Sequence, residues 1–371
     1  MAERWTVDRP TACPPVAVPP TIPLMPIAST NPATGQTIRS FQPLSPAQLE
    51  AKLQCAADAY QRHRRTSFAE RSKLMLRAAE ILESEKDAFG RIMVTEMGKT
   101  HKAAMEEAAK SGWGCRYYAE NAERFLAEEV VPTSASRSVV TYQPIGPVLA
   151  IMPWNFPFWQ VFRFAAPSLM AGNVGVLKHA SNVSQCALAI EEVFQRAGFP
   201  TGVFQTVLVP GSKALGLVED PRIAAVTLTG SEEAGARVAE ASGRALKPTV
   251  LELGGSDPFI VLDDADVEAA ARVAIDARFQ NAGQSCIAAK RFIVVESAAD
   301  EFQERFRNGI EELVVGDPMD GASKIGPLAK GDLVDTLEEQ VRRSVSAGAS
   351  IVTGGRRLDR RGYFYAPTLI S

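Results

Sequence analysis

The sequence predicts an α/β protein built around a parallel sheet. β-rich runs alternate with helical stretches from Val148 onward, and a second set of the same kind begins near Pro248. The composition is 46% hydrophobic and 22% charged over 371 residues. Such alternation is the signature of βαβ units, and a chain of this size and composition can bury a core without metal or disulfides. At about 150 residues per domain, the length suggests two or three domains.

Eight of the 24 prolines fall within the first 32 residues, so residues 1–26 read as an extended, disordered leader. It lacks the basic start and apolar core of a secretory signal and the Arg-rich, acid-poor character of a mitochondrial one. From Ser45 to about Glu129 the pattern is helical. Ser67 and Glu70 form a capping box, and Leu74, Ala78, Ile81 and Leu82 recur at helical spacing. Residues 138–142 read as a short strand. Four β-rich runs follow, at 148–152, 174–177, 203–209 and 224–229, separated by helical segments such as 185–197. The second set comprises strands 249–253 and 259–262, a helix opened by Asp263 or Asp264, and a strand at 291–295. Helices 298–314 and 330–347 and a strand with a turn at 351–355 complete it. The stretch 147–177 carries one charge, Arg163, but prolines interrupt it, so it reads as a buried α/β segment rather than a membrane span.

Lys and Arg number 40 against 43 Asp and Glu, a formal charge of −3, so no nucleic-acid or membrane partner is expected. Five scattered cysteines (Cys13, Cys55, Cys115, Cys186, Cys286) with no C-x-x-C exclude a disulfide scaffold or zinc ribbon and favour a reducing, cytoplasmic compartment. With only three histidines, no metal site is expected and the chemistry does not rest on a histidine cluster.

Six segments are candidates for chemistry. Gly98-Lys99-Thr100 resembles the end of a phosphate-binding loop, but Met93 stands where the required glycine belongs, so that reading is rejected. Gly230-Ser231-Glu232 follows a strand and opens a helix, either a phosphate site or a plain helix cap. Cys286, after Gly283-Gln284-Ser285, sits in polar, glycine-containing sequence that suggests a turn at a cleft. Glu252, in Leu251-Glu252-Leu253-Gly254-Gly255, is either a buried general base, an exposed strand-end carboxylate or a partner in a structural ion pair. Asn155, within Pro153-Trp154-Asn155-Phe156-Pro157, offers either an oxyanion donor or an amide that holds its own loop. Lys178 ends a strand, where parallel sheets bind ligands, or is a solvated terminus.

Taken together, the 153–157 PWNFP loop, Lys178 with Ser181, Thr229-Gly230-Ser231, Glu252-Leu253-Gly254-Gly255 and Gly283-Gln284-Ser285-Cys286 resemble the aldehyde dehydrogenase superfamily. Order and spacing fit as well, with 23 residues from Asn155 to Lys178 and 34 from Glu252 to Cys286. The resemblance implies an aldehyde dehydrogenase-like α/β fold: a Rossmann-type parallel-sheet cofactor domain at 27–137 and 143–251 and an α/β catalytic domain at 252–371. It also implies an oligomerisation-arm strand at 138–142. Cys286 would attack an aldehyde, the Asn155 amide and the Cys286 N–H would hold the oxyanion, and Glu252 would activate the hydrolytic water. Trp154, Asn155, Lys178, Ser181, Gly230, Ser231, Glu232 and Leu253 would line the cofactor. Ser181 replaces the ribose-binding glutamate of NAD-dependent relatives, which implies NADP as preferred cofactor and NAD as the second.

Within the superfamily the resemblance is to succinate-semialdehyde dehydrogenases, with Arg163 placed to pair with the distal carboxylate of a small-molecule aldehyde. Gln280 stands where some relatives have a second arginine. Members continue past Ser371, so the expectation is a C-terminally truncated chain with an incomplete catalytic domain. The strand that pairs across the homo-oligomer of full-length relatives would be missing. The alternatives are a catalytically impaired truncated member, a dehydrogenase for another ω-carboxy aldehyde, or a CoA-acylating relative, the last disfavoured by Glu252.

Overall fold

The structure is a computed structural model that describes residues 27–371; the leader expected at 1–26 lies outside the described residues. It opens with a hairpin that the periodicity does not reveal, β1 (Ile27–Asn31) and β2 (Gln36–Phe41). The Asn31 side chain accepts from Ala33 N, and Gly35 (φ 70°) makes the left-handed turn between the strands.

Four helices follow, three of them opened by a side-chain cap. α1 (Pro46–His63) opens on a Ser45–Gln48 capping box with Pro46 in its first turn. α2 (Phe68–Ser84) opens on the expected Ser67–Glu70 box. α3 (Lys86–Met97) ends at Gly98 in the left-handed conformation, and Thr100 caps α4 (His101–Phe125). The strand expected at 138–142 shrinks to a two-residue ladder, β3 (Glu129–Val130) with β4 (Val139–Val140).

The central sheet comes next: β5 (Pro147–Met152), α5 (Trp159–Met170), β6 (Val174–His179), α6 (Ser184–Arg196), β7 (Phe204–Thr206), α7 (Ala214–Glu219), β8 (Ala225–Thr229), α8 (Glu232–Arg244) and β9 (Thr249–Glu252). All five strands are parallel, in the order β7-β6-β5-β8-β9. The chain runs outward from β5 through β6 to β7, then returns to β8 on the other side of β5. That reversal places a topological switch point at the carboxyl ends of β5 and β8, where open parallel sheets hold ligands.

β10 (Asp257–Val261) pairs in parallel with β11 (Ala289–Val294) across α9 (Val267–Phe279), and α10 (Glu296–Glu311) packs on α9. Asp266, not Asp263 or Asp264, caps α9 through Ala269 N, because a turn from Leu262 to Ala265 uses up the earlier aspartates. α11 (Gly331–Ser346) leads to β12 (Ile351–Thr353), paired with β13 (Leu369–Ile370). One apolar core joins α1–α4 to the sheet and its helices, a second lies among β10, β11, α9 and α10, and a small third lies under α11. Among the described residues no helix is long and apolar enough to cross a membrane.

Candidate active site

The sheet delivers the predicted segments to one edge. The loop 153–157 leaves the carboxyl end of β5, Lys178 is the penultimate residue of β6, Gly230 follows β8, and Glu252 is the final residue of β9. Residues as far apart in sequence as Asn155 and Glu252 thus converge because parallel strands all end on the same side.

Cys286 arrives from the other core. After α9 the chain passes through Asn281 (φ 55°), Ala282 (φ 55°) and Gly283 (φ 74°), three consecutive left-handed residues. For Asn281 and Ala282 that conformation costs of order 1–3 kcal/mol each and needs outside support. The support is a set of amide bonds. Asn155 Nδ2 donates to Gln284 O at 3.0 Å, and Asn281 Nδ2 donates to Asn155 O at 2.8 Å and Gln284 O at 3.1 Å. Gln284 Oε1 also accepts from Ala329 N at 3.0 Å. The loop so held buries Ser285 and leaves Cys286 exposed, with Lys290 Nζ on the Cys286 carbonyl at 2.9 Å. The expected cleft turn is therefore present. Asn155 does hold backbone, though the backbone is that of the cysteine loop; its second Nδ2–H has no acceptor among the described residues.

Cys286 lines a cavity of about 290 Å³ whose walls include Lys99, Lys110, Phe156, Trp159, Arg163 and Gln280. Glu252 lines a neighbouring open groove with Thr229 and Val250, and Gln160 and Arg163 of α5 line both spaces. Glu252 is exposed, its side chain at 55%, which decides against the buried alternative. The Arg163 guanidinium lies 3.8 Å from Glu252 Oε2 and 3.5 Å from Thr229 Oγ1, so its charge is shared with that carboxylate.

The cofactor candidates divide by burial. Lys178 is only 7% exposed, and burial pulls its ammonium below the ordinary lysine range, so it is not a solvated terminus. Ser181 begins the short helical turn after β6. Ser231 is exposed and caps α8 through Ala234 N, while Glu232 is exposed in the first turn of α8. Gly230 N donates to Glu252 O at 3.0 Å, and a Cβ on Gly235 would meet Leu253 Cδ2 at 2.6 Å, which seats Leu253 against α8. Trp154 is half-buried against the main core.

Three carboxylate or imidazole groups that hold this edge escaped the sequence reading. Glu107 of α4 is buried, pairs with the equally buried Lys99, and accepts from Phe158 N at 2.8 Å and Trp159 N at 3.0 Å, capping α5 from outside. Glu96 of α3 does the same for α6, accepting from Gln185 N and Cys186 N at 2.8 Å and from Ser29 Oγ; burial raises its carboxyl. Neither helix has a capping side chain of its own. His179 accepts from Ala180 N through Nδ1 and reaches Pro157 O through Nε2 at 2.9 Å, and burial lowers its pKa to about 4. A signal was available for the two glutamates. Glu96 falls on the apolar face marked by Phe89, Met93 and Met97, and Glu107 on that of Ala104, Ala108 and Ser111. Lys99 is a buried ion-pair partner over the Phe156 ring at 4.2 Å, in keeping with rejection of the phosphate loop.

Known proteins share the sequence and the fold of this chain. Residues 23–371 match the aldehyde dehydrogenase family. The chain is 54% identical over 347 residues to a probable succinate-semialdehyde dehydrogenase [NADP(+)] of Synechocystis, covering 94% of this chain and 76% of that protein. It is 52% identical over 351 residues to the succinate-semialdehyde dehydrogenase [NADP(+)] of Mycobacterium avium, covering 94% and 74%. The crystal structure of succinic semialdehyde dehydrogenase from Streptococcus pyogenes in complex with NADP+ superposes with a TM-score of 0.90 at 34% identity, covering 93% of this chain and 76% of that one. A family match over nearly the whole chain and a shared fold lead to one conclusion: the protein belongs to the aldehyde dehydrogenase family.

Proposed function

We propose that this protein oxidises succinate semialdehyde to succinate, with NADP preferred over NAD as hydride acceptor. The observation that carries the reading is the 3.0 Å bond from the Asn155 amide to the loop presenting Cys286, which joins a nucleophile to an oxyanion donor across two cores. The names of the similar proteins support the substrate and cofactor.

The residues present fit a dinucleotide phosphate. Of the three longer helices that follow sheet strands, α5 and α6 have their first turns filled by Glu107 and Glu96, which leaves the start of α8 at Gly230-Ser231 for an anion. The Lys178 ammonium, buried beside that edge, pairs with no carboxylate among the described residues. Lys178 and Ser181 would hold the adenosine ribose and its 2′-phosphate, where a neutral hydroxyl does not repel the anion. Trp154, Glu232 and Leu253 would complete the cofactor's surroundings. When bound, NADP supplies the acceptor for the hydride that leaves the substrate carbonyl carbon.

Cys286 Sγ, as thiolate, bonds to the aldehyde carbon and the carbonyl electron pair moves onto oxygen. The free Nδ2–H of Asn155 and the Cys286 N–H stabilise that oxyanion, the contribution an oxyanion hole makes. Loss of hydride leaves a thioester on Sγ. Glu252 then takes a proton from water, the hydroxyl oxygen bonds to the thioester carbon, and the C–S bond breaks to release succinate and the thiolate. Arg163, on the wall shared by the two spaces, contacts the substrate on one side and orients Glu252 on the other. The unpaired thiols among the described residues suit a cytoplasmic location.

The test is NADPH formation followed at 340 nm with succinate semialdehyde, with Cys286→Ala as control. The expected outcome is turnover that vanishes in the variant and a higher kcat/KM with NADP than with NAD. Turnover that survives the loss of the thiol, or a chain that oxidises no aldehyde with either cofactor, overturns the reading.

A further inference from the structure

The wall of the Cys286 cavity carries three cations, Lys99, Lys110 and Arg163, and two carboxylates, Glu106 and Glu107. Their pairing decides which charge remains for a substrate. Lys99 is closed off with Glu107. Arg163 leans to Glu252 outside the cavity at 3.8 Å. Glu106 stands one helical turn before Lys110, in the orientation that favours an i,i+4 ion pair, yet its carboxylate points to Lys102 at 3.9 Å instead. Lys110 Nζ sits over the Trp159 ring, 4.4 Å from its centroid. Among the described residues it is therefore the one cation on this wall without a carboxylate partner. The indole face steadies the ammonium toward the cavity at little desolvation cost.

We propose that Lys110 is a specificity-determining residue that binds the distal carboxylate of the aldehyde acid, an inference that rests on the reading of Cys286 as the nucleophile for such a substrate. An unpaired ammonium opposite a reactive thiol selects ω-carboxy aldehydes over neutral ones, because the carboxylate gains a charge-assisted bond that an alkyl chain cannot make. Gln280, which also lines the cavity, offers a neutral amide to the same anion. Arg163 contributes less to carboxylate affinity than its charge suggests, being shared with Glu252.

The experiment compares KM and kcat for succinate semialdehyde and propanal in the wild type, Lys110→Met, Lys110→Arg and Arg163→Ala. Lys110 is exposed on α4, so the methionine variant keeps the fold. Loss of one charge-assisted bond raises KM for succinate semialdehyde by about 10- to 100-fold in Lys110→Met. KM for propanal stays within about twofold, kcat within about threefold, and Lys110→Arg recovers most of the loss. If Lys110→Met keeps the wild-type preference, the assignment of Lys110 falls, and a preference lost only in Arg163→Ala gives the role to that residue. A wild type that does not prefer succinate semialdehyde over propanal overturns the substrate reading itself, a result separable from the first.

Discussion

Removing the Glu107 carboxylate tests how the reactive edge is supported. Glu107→Ala deletes the acceptor of the Phe158 and Trp159 N–H groups and leaves the Lys99 ammonium, 2% exposed, without its counter-charge. An unpaired buried charge costs about 3–5 kcal/mol and a lost helix cap about 1 kcal/mol, so the variant should lose roughly 4–6 kcal/mol. Glu107→Gln keeps an oxygen for the two N–H groups but not the charge, and should lose about 3–5 kcal/mol. Lys99→Met combined with Glu107→Gln removes both charges together and should recover to within about 2 kcal/mol of wild type, because the cost lies in the unmatched ion rather than in the pair. Urea denaturation followed by circular dichroism measures all three. A loss below about 1 kcal/mol in Glu107→Ala, or a double variant no better than Glu107→Gln, would show that the buried pair does not act as argued.

Two other perturbations follow from the same edge. His179 is held neutral, its pKa lowered from 6.5 to about 4 by burial, so the unfolded chain binds the additional proton as the pH drops. Its contribution, about 3 kcal/mol, is complete above pH 6.5 and is lost as the pH falls toward 4. Thermal melts across that window should show a steeper acid loss in wild type than in His179→Gln; taking the difference between the two removes the opposing effect of Glu96, whose carboxyl is shifted upward. Ser181→Glu should lower kcat/KM for NADP about 100-fold relative to NAD through repulsion of the 2′-phosphate, and unchanged cofactor preference in steady-state kinetics would remove Ser181 from the cofactor site.

The fold was legible in the sequence wherever periodicity or a cap was local. The Ser67–Glu70 box, the alternating strands of the sheet and the helix before β7 all lie close to the expected positions. The β1–β2 hairpin was not, because its outer strand is polar and exposed and Pro32 sits in its turn. Cys286, Asn155 and Lys178 stood out as candidates because each occupies a turn or strand end with unusual chemistry. What sequence could not decide was pairing. The alternatives for Glu252 depended on whether another element covers it, and the orientation of Arg163 toward that carboxylate depends on β9 lying beside β8. Glu107 and Glu96 act at separations of 51 and 89 residues, beyond any local pattern.

That two sheet helices begin on carboxylates lent by α3 and α4 sets a limit on how this protein could be divided or transplanted. A severed chain starting at β5 would carry the strands, the PWNFP loop and Lys178, yet both helices would open on bare amides with nothing to receive them. The portable unit is therefore larger than the one proposed to hold the dinucleotide: anyone grafting this edge onto another scaffold must bring the helical pair along, or furnish two new anions at the same places.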